Sequence, residues 1–197
     1  YARMVNGEGW LKNGVRCELK YVLCSGYTHN DLYQLPVKPS PNLSTMAAIY
    51  LYPSVCLFEG TVLSVGRGTD KPFEIIGHPR LKNGDYTFTP RSIPGASKNP
   101  PLKDSLCSGH DLTSFANNFI RTHRKIYLFW VQGCYADFPD KTTYFNSYFS
   151  LLAGNTTLRK QIEAGKSEEE IRKTWQPGLD KFKETRTRYL LYPDFKE

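Results

Sequence analysis

The sequence predicts an α+β fold in one domain of 197 residues. Two observations predict it. Short apolar or alternating stretches typical of strands fall before residue 113, whereas most stretches with apolar residues at helical spacing come after it. Strands and helices that occupy separate parts of a chain indicate an α+β architecture. With 40% hydrophobic residues, the chain is long enough to bury its own core.

The first 41 residues contain a helix end, a strand and a connection. Met4 and Val5 precede Asn6-Gly7, a pattern typical of the end of a helix. Because no initiator methionine or signal peptide opens the sequence, we expect a fragment. Residues 17–23 alternate charged and apolar side chains, which predicts a strand with one wet face. A polar connection follows over residues 27–41.

A short helix and a buried strand are predicted next. Asn42 or Ser44 is the expected N-cap of a helix over residues 46–51, and Pro53 is expected to end it. The apolar run 55–58 then predicts a short buried strand.

Further strands are predicted at residues 73–76, 85–89 and 106–112. Residues 90–101 are rich in Pro, Ser and Gly, so we expect an exposed loop there, over a cleft if one exists. A helix is expected through residues 115–120.

The last third is mainly helical. Residues 126–131 fit either a central strand or a buried helical turn, and the aromatic residues of 144–152 have the helical spacing of a core face. A helix is predicted over 158–164, residues 167–170 form a capping box, and Pro177 is expected to begin the last helix.

The segment 52–74 has the composition of a binding loop, not of a core. Glu59-Gly60 would end the buried strand, which places Glu59 at a strand end. Arg67 lies between Gly66 and Gly68, so its guanidinium is expected to be presented to a polar ligand. The alternative is an internal ion pair between Glu59 and Arg67 that pins the loop. The spacing of a nucleotide-binding phosphate loop is absent.

Several functional classes lack support in the sequence. The net charge of +7 favours anionic partners, but the basic residues are dispersed and no nucleic-acid-binding motif occurs. No run of eighteen apolar residues occurs, so we expect no membrane span. The five cysteines and four histidines show no metal-ligand spacing, so neither metal nor cofactor is expected. The Gly-x-Ser-x-Gly motif of serine hydrolases is absent from the sequence, so we expect no catalytic serine triad.

Five further segments stand beside the binding loop: Ser40-Pro41-Asn42-Leu43, Ile76-Gly77-His78-Pro79, Cys107-Ser108-Gly109, the segment from Met4 to Leu11 and the segment from Phe182 to Tyr192. Together with the loop, they closely resemble the C-terminal half of the NamZ-type exo-β-N-acetylmuramidases, long catalogued as a domain of unknown function. The resemblance implies that residues 1–197 form that C-terminal domain, with a small, partly barrel-like mixed sheet and flanking helices. It also implies a Rossmann-like N-terminal portion outside this chain and an active-site cleft between the two.

The resemblance further implies an exo-acting glycoside hydrolase that releases N-acetylmuramic acid from the non-reducing end of peptidoglycan fragments during cell-wall recycling. The implied partners are peptidoglycan-derived muramic-acid saccharides and the N-terminal Rossmann-like domain of the same protein. The implied location is periplasmic or extracellular, with any export signal upstream of this chain. The competing hypothesis is a non-catalytic glycan-binding or structural module.

Glu59 is the candidate catalytic or orienting carboxylate, because glycosidases usually need two carboxyl groups beside the scissile bond. A substrate-assisted scheme with one protein acid stays open. Arg67 could pair with the lactyl carboxylate of the sugar.

Glu74 is interpreted first as a partner of Arg67, then as a structural group, then as a second acid. His78 is either a substrate contact or a turn histidine bonded to backbone. The predicted substrate contacts are Asn42, Ser64, Arg67, Thr69, Glu74 and His78.

Overall fold

The computed structural model of the protein describes residues 1–195. Within this part of the chain, two compact units are distinguished. The larger unit is residues 35–168, and the smaller unit combines residues 1–34 with the chain from residue 169 onward.

Short helices dominate the larger unit, and one long helix dominates the smaller one. A 3-10 turn Lys12–Gly14 follows α1, a 3-10 turn Cys56–Gly60 follows α2, and a π-helical turn Ala116–Ile120 joins α3 to α4. The helices are α1 (Ala2–Gly7), α2 (Met46–Val55), α3 (Thr113–Phe115), α4 (Arg121–His123), α5 (Phe129–Asp137), α6 (Lys141–Tyr144), α7 (Tyr148–Ala153), α8 (Thr157–Glu163) and α9 (Glu168–Thr187).

The sheet of the larger unit is open and antiparallel. Its strands are β1 (Ile75–His78), β2 (Tyr86–Phe88) and β3 (Cys107–Asp111), with β3 in the centre. Both β1 and β2 pair antiparallel with β3. The predicted α+β class is therefore confirmed, but the partly barrel-like mixed sheet is wrong for the described residues. Strands of three to five residues in a single layer leave β1 and β2 as edges, and a barrel has none.

Two glycines let β1 and β3 approach closely. Gly77 lies opposite Gly109 in the register of the two strands. A Cβ atom built on Gly109 would lie 1.8 Å from the carbonyl oxygen of Ile76, and one on Gly77 would lie 2.7 Å from that of Ser108. The centre of the sheet therefore has no room for side chains at these positions.

An apolar cluster lies on one face of the sheet. Ile75, Phe88 and Cys107 are buried there, with Tyr86 and Leu102 packed against them. Burial raises the pKa of the Cys107 thiol to about 11. This thiol therefore serves as a small apolar side chain.

The strands predicted at residues 73–76, 85–89 and 106–112 are confirmed as β1, β2 and β3, with boundaries shifted by one or two residues. The helix predicted at 158–164 is confirmed as α8. For residues 126–131, the helical alternative is correct from Phe129 onward.

Several local predictions are wrong. Residues 55–58 form the end of α2 and part of a 3-10 turn, not the predicted strand. The prediction failed because a buried apolar run of four residues does not by itself distinguish a strand from a helix. Thr45, rather than Asn42 or Ser44, caps α2, and its hydroxyl accepts a hydrogen bond from Ala48 N–H at 3.0 Å. Pro53 lies inside α2, two residues before its end.

Within the smaller unit, polar contacts join the residue after α1 to the residues that follow α9. Tyr189 donates its hydroxyl proton to Glu8 at 2.5 Å, and Arg188 pairs with the same carboxylate at 3.0 Å. The last helix begins at Glu168 and continues through Pro177, which was expected to begin it. Residues 17–23 form no strand, although their alternation predicted one.

An ion pair fastens the loop after Gly66 to the end of β3. Lys71 Nζ donates to Asp111 Oδ2 at 2.5 Å, while Thr113 donates its backbone N–H and its hydroxyl to Oδ1 at 2.9 and 2.6 Å. Burial alone would raise the pKa of Asp111, but the hydrogen bonds from Lys71 and Thr113 outweigh it and lower the net pKa. The hydrogen bond to Asp111 raises the pKa of Lys71.

Replacing Asp111 by asparagine is expected to lower the free energy of unfolding by about 2 kcal/mol near pH 7, because a charged acceptor of three hydrogen bonds is lost. Since the folded pKa of Asp111 lies below its ordinary value of 3.8, its contribution is present above that value and is lost as the pH falls through the folded pKa. Urea denaturation from pH 7 down to pH 3 should therefore show the two proteins converging. Asp70→Asn, at an exposed carboxylate of the same loop, is the control. If the difference in the free energy of unfolding between wild type and Asp111→Asn stayed constant with pH, the ionised Asp111 would not be the source of the stabilisation.

Candidate functional site

A cavity of about 600 Å³ lies in the larger unit, beside the 3-10 turn Cys56–Gly60. We call it the Glu59 cavity. Its walls come from the loop after the turn, from the end of β1, from the segment after residue 100 and from the start of α7. The lining residues are Glu59, Thr61, Val62, Leu63, Val65, Arg67, His78, Pro101, Leu102, Asn146 and Tyr148.

A carboxylate and a guanidinium form the polar centre of the Glu59 cavity. Arg67 donates from Nε and Nη2 to the same oxygen of Glu59, Oε1, at 3.2 and 2.9 Å. The Arg67 and Glu59 side chains are 30% and 24% exposed, so the pair is accessible without being fully solvated. The ion pair that the sequence offered as the alternative is thus present, and it lies in a cavity wall. It leaves Glu59 Oε2 and Arg67 Nη1 without a protein hydrogen bond among the described residues.

The guanidinium of Arg67 rests on an aromatic ring. Its Cζ lies 4.8 Å from the ring centroid of Phe73, which is within the range of a cation–π contact. Phe73 is buried and has a φ of 62°, an unusual left-handed conformation for a bulky residue. Its backbone N–H donates to Val65 at 2.7 Å, which holds the ring beneath Arg67. The side chain of Arg67 is therefore fixed from two sides.

Asn146 joins the turn that carries Glu59 to the start of α7. Its Nδ2 donates to the carbonyl oxygens of Glu59 and Thr61, both at 3.3 Å, and its backbone N–H donates to Gly60 at 3.0 Å. Its Oδ1 accepts the backbone N–H of Tyr148 at 2.8 Å. One amide side chain thus sets the position of α7 relative to Glu59.

Two tyrosines lie close to the ion pair. Tyr148 lines the Glu59 cavity and is 50% exposed. Tyr52 packs edge-on against Phe73, with ring centroids 5.1 Å apart. Burial, and then the nearby Glu59 carboxylate, raise the pKa of Tyr52. The Tyr52 phenol is therefore protonated at neutral pH. Both side chains carry an aromatic face and a hydroxyl group that can form hydrogen bonds.

His78 lines the cavity and is also a turn histidine. Its Nδ1 accepts the backbone N–H of Arg80 at 3.0 Å, which leaves Nε2 as the protonated nitrogen of the neutral ring. Burial, and then the charge of Arg80, lower the pKa of His78. The ring also packs edge-on against Phe138 at 5.0 Å. The two interpretations made from the sequence are thus compatible, and a substrate contact stays a prediction.

Ser64 and Thr69 lie outside the cavity lining. Ser64 is fully buried, its hydroxyl accepts the N–H of Gly66 at 3.1 Å, and its backbone forms a bridge with Gly77. Thr69 donates its hydroxyl to the carbonyl oxygen of Gly66 at 2.7 Å. Both hydroxyls stabilise the loop that carries Arg67.

Asn42 and Glu74 also lie elsewhere. Asn42 is buried and donates from Nδ2 to the carbonyl oxygen of Ala96 at 3.2 Å. Glu74 is 4% exposed, and its Oε1 accepts the hydroxyl of Thr45 at 2.5 Å. Glu74 therefore supports the residue that caps α2. The interpretation of Glu74 as partner of Arg67 is wrong, because Glu59 occupies that place.

The sequence did not predict the contributions of Asn146 and Tyr148. Asn146 is 87 residues away from Glu59, so no local pattern connects them. Tyr148 was interpreted as a core residue of an aromatic helix, whereas Phe149 beside it is the buried one. Residues 90–101 were expected to lie over a cleft, and the last of them, Pro101, lines the cavity beside Leu102.

Residues 1–195 contain neither a candidate metal site nor a candidate membrane span. No group of three or more His, Cys, Asp or Glu side chains in that range is arranged to hold a metal ion. In the same range, none of the helices combines the length and the apolar character needed to cross a bilayer.

With a carboxylate, a guanidinium and aromatic rings around one cavity, the α+β chain has the composition of a domain that binds a polar ligand. The family model described as exo-beta-N-acetylmuramidase NamZ, C-terminal, matches residues 50–192. The chain therefore belongs to the NamZ C-terminal family.

Relatives support this assignment. The chain is 35% identical over 177 residues to the peptidoglycan beta-N-acetylmuramidase NamZ of Bacillus subtilis, a match that covers 82% of this chain and 42% of that protein. The crystal structure of a DUF1343 family protein from Bacteroides fragilis is 46% identical, with a TM-score of 0.93, over 98% of this chain and 54% of that one. A second B. fragilis structure of that family, 18% identical with a TM-score of 0.74, shares the fold. The chain thus spans about half the length of these relatives.

Proposed function

We propose that the chain is part of an exo-acting glycoside hydrolase that releases N-acetylmuramic acid from the non-reducing end of peptidoglycan fragments. The B. subtilis relative is a peptidoglycan beta-N-acetylmuramidase, which supports this substrate class. The observation that carries the proposal is the accessible Glu59–Arg67 pair in a cavity large enough for a sugar ring.

Arg67 would recognise the lactyl carboxylate, the group that distinguishes muramic acid from N-acetylglucosamine. Nη1 and the second proton of Nη2 are not used by Glu59, so the guanidinium keeps a donor edge for another carboxylate. The cation–π contact with Phe73 holds this edge in place.

Glu59 would orient the sugar. Its Oε1 already accepts two hydrogen bonds from Arg67, which leaves Oε2 to accept a hydrogen bond from a substrate hydroxyl. Glu59 is also the only carboxylate among the described residues that line the cavity. Glycosidases usually need two carboxyl groups, so a second acid would come from the Rossmann-like N-terminal domain, or the substrate acetamido group would take part.

Hydrolysis of chromogenic β-N-acetylmuramic acid and β-N-acetylglucosamine glycosides by the complete protein tests the proposal. We expect turnover of the muramic substrate and a preference for it. In Arg67→Lys the forked donor is lost, so the KM for the muramic substrate should rise about tenfold while the preference shrinks. Arg159→Lys is the control, since Arg159 also pairs with a glutamate but lies outside the cavity.

Two results would count against the proposal. A folded wild type that binds the muramic compound without turnover would favour the glycan-binding module. A folded wild type that neither binds nor cleaves it would overturn the substrate assignment.

A further inference from the structure

We propose that Tyr148 is the stacking surface for the sugar ring in the Glu59 cavity, and that Asn146 is the residue that positions it. The inference rests on the proposed function and adds a residue that binds the sugar ring to the same site. Tyr148 would bind the pyranose ring itself, whereas Arg67 would read its lactyl substituent.

The exposure of Tyr148 is the first argument. It starts α7, and the residue is 50% exposed although it lines a cavity. The next residue, Phe149, is fully buried and provides the packing of this turn of helix. Tyr148 is therefore not needed to fill the core, and its ring face is available to a ligand.

The chemistry of the cavity is the second argument. One face of a pyranose ring carries mainly C–H groups, and the electron-rich face of an aromatic ring attracts them. The hydroxyl groups on the ring edge need donors and acceptors. Glu59 and Arg67 line the same cavity and supply both kinds of group. An aromatic face beside an ion pair thus matches the two kinds of surface that a sugar presents.

The rigidity of Tyr148 is the third argument. Asn146 uses both side-chain polar groups to connect the backbone of Glu59 and Thr61 with the backbone N–H of Tyr148. Close packing reinforces this link, because a Cβ atom on Gly60 would lie 2.3 Å from the Cα of Phe149. The backbone positions that carry the aromatic ring and the carboxylate are therefore held at a fixed separation, which favours recognition of a rigid ring.

A division of labour between the two side chains follows. Stacking on the ring does not depend on the lactyl group, so Tyr148 should contribute equally to the binding of N-acetylmuramic acid and N-acetylglucosamine. The guanidinium of Arg67 should contribute to the first sugar alone.

Titrations of the complete protein with each sugar, followed by NMR, test the inference. We expect Tyr148→Ala to raise the Kd of both sugars by a similar factor, about tenfold. The Kd values of Tyr148→Phe should stay within about twofold of those of wild type. Asn146→Ala should weaken both sugars as well, while thermal melts confirm that it folds. Leu151→Ala is the matched control, since Leu151 is a 73% exposed side chain of α7 outside the cavity lining.

Unchanged affinities in Tyr148→Ala, or a loss confined to one sugar, would overturn the stacking role. If Arg67→Ala nevertheless abolished the preference for the muramic sugar, the proposed function would stand without the stacking role of Tyr148. A folded wild type that binds neither sugar would overturn both.

Discussion

Alanine at position 109 is expected to destabilise the larger unit by about 3 kcal/mol or more, the upper end of what overpacking costs. The new methyl group would lie 1.8 Å from the carbonyl oxygen of Ile76 and 2.6 Å from the Cα of Gly77. Both are backbone atoms of the paired strand, so no side-chain rotation can make room. Thermal unfolding should show a melting temperature lower by roughly 6–12 °C.

The same substitution at Gly133 is the matched control. Gly133 lies inside α5, and a Cβ atom there meets nothing within 4 Å. Alanine should therefore stabilise the protein by about 0.5–1 kcal/mol, because glycine is a poor helix former. A Gly109→Ala protein as stable as wild type would mean that β1 and β3 are not packed as described.

The second large effect is expected at Glu59. Glu59→Gln should reduce kcat/KM for a muramic acid glycoside about 100-fold, as loss of one transition-state hydrogen bond or acid–base group does. The amide keeps the shape of the side chain but loses the charge that pairs with Arg67. Stability should change by no more than about 1 kcal/mol, since the pair is partly exposed.

Glu163→Gln is the control for this experiment. Arg159 donates from Nε to Glu163 at 2.8 Å, in a pair whose side chains are each 35% exposed. The control thus removes a similar ion pair outside the Glu59 cavity and should leave kcat/KM unchanged. Full activity in Glu59→Gln would remove Glu59 from the site and would shift the proposal to the remaining lining residues.

The sequence predicted the strands better than their surroundings. The strands β1, β2 and β3 were foreseen because apolar residues and bounding turns are local signals. The open form of the sheet was not foreseen, because it depends on whether any other segment of the chain pairs with the edge strands β1 and β2. Residues 17–23 illustrate the same limit, since alternation specifies a strand only where another strand pairs with it.

For the site, the sequence predicted the central pair and not its setting. Glu59 and Arg67 were identified because they share one glycine-containing loop. Ser64 and Thr69 share that loop as well, yet their hydroxyls bond to its own backbone. Small polar side chains commonly do so, and composition cannot tell such bonds from ligand contacts. Asn146 joins the site only through tertiary packing.

The contacts on both sides of Arg67 have a consequence for affinity. An arginine on an open surface samples many rotamers, and fixing it on binding costs up to about 2 kcal/mol of conformational entropy. Here Glu59 and Phe73 already restrict the guanidinium in the folded chain. Folding therefore carries most of that entropy loss. An anionic group arriving in the cavity meets a preorganised donor, so more of its interaction energy remains as binding free energy.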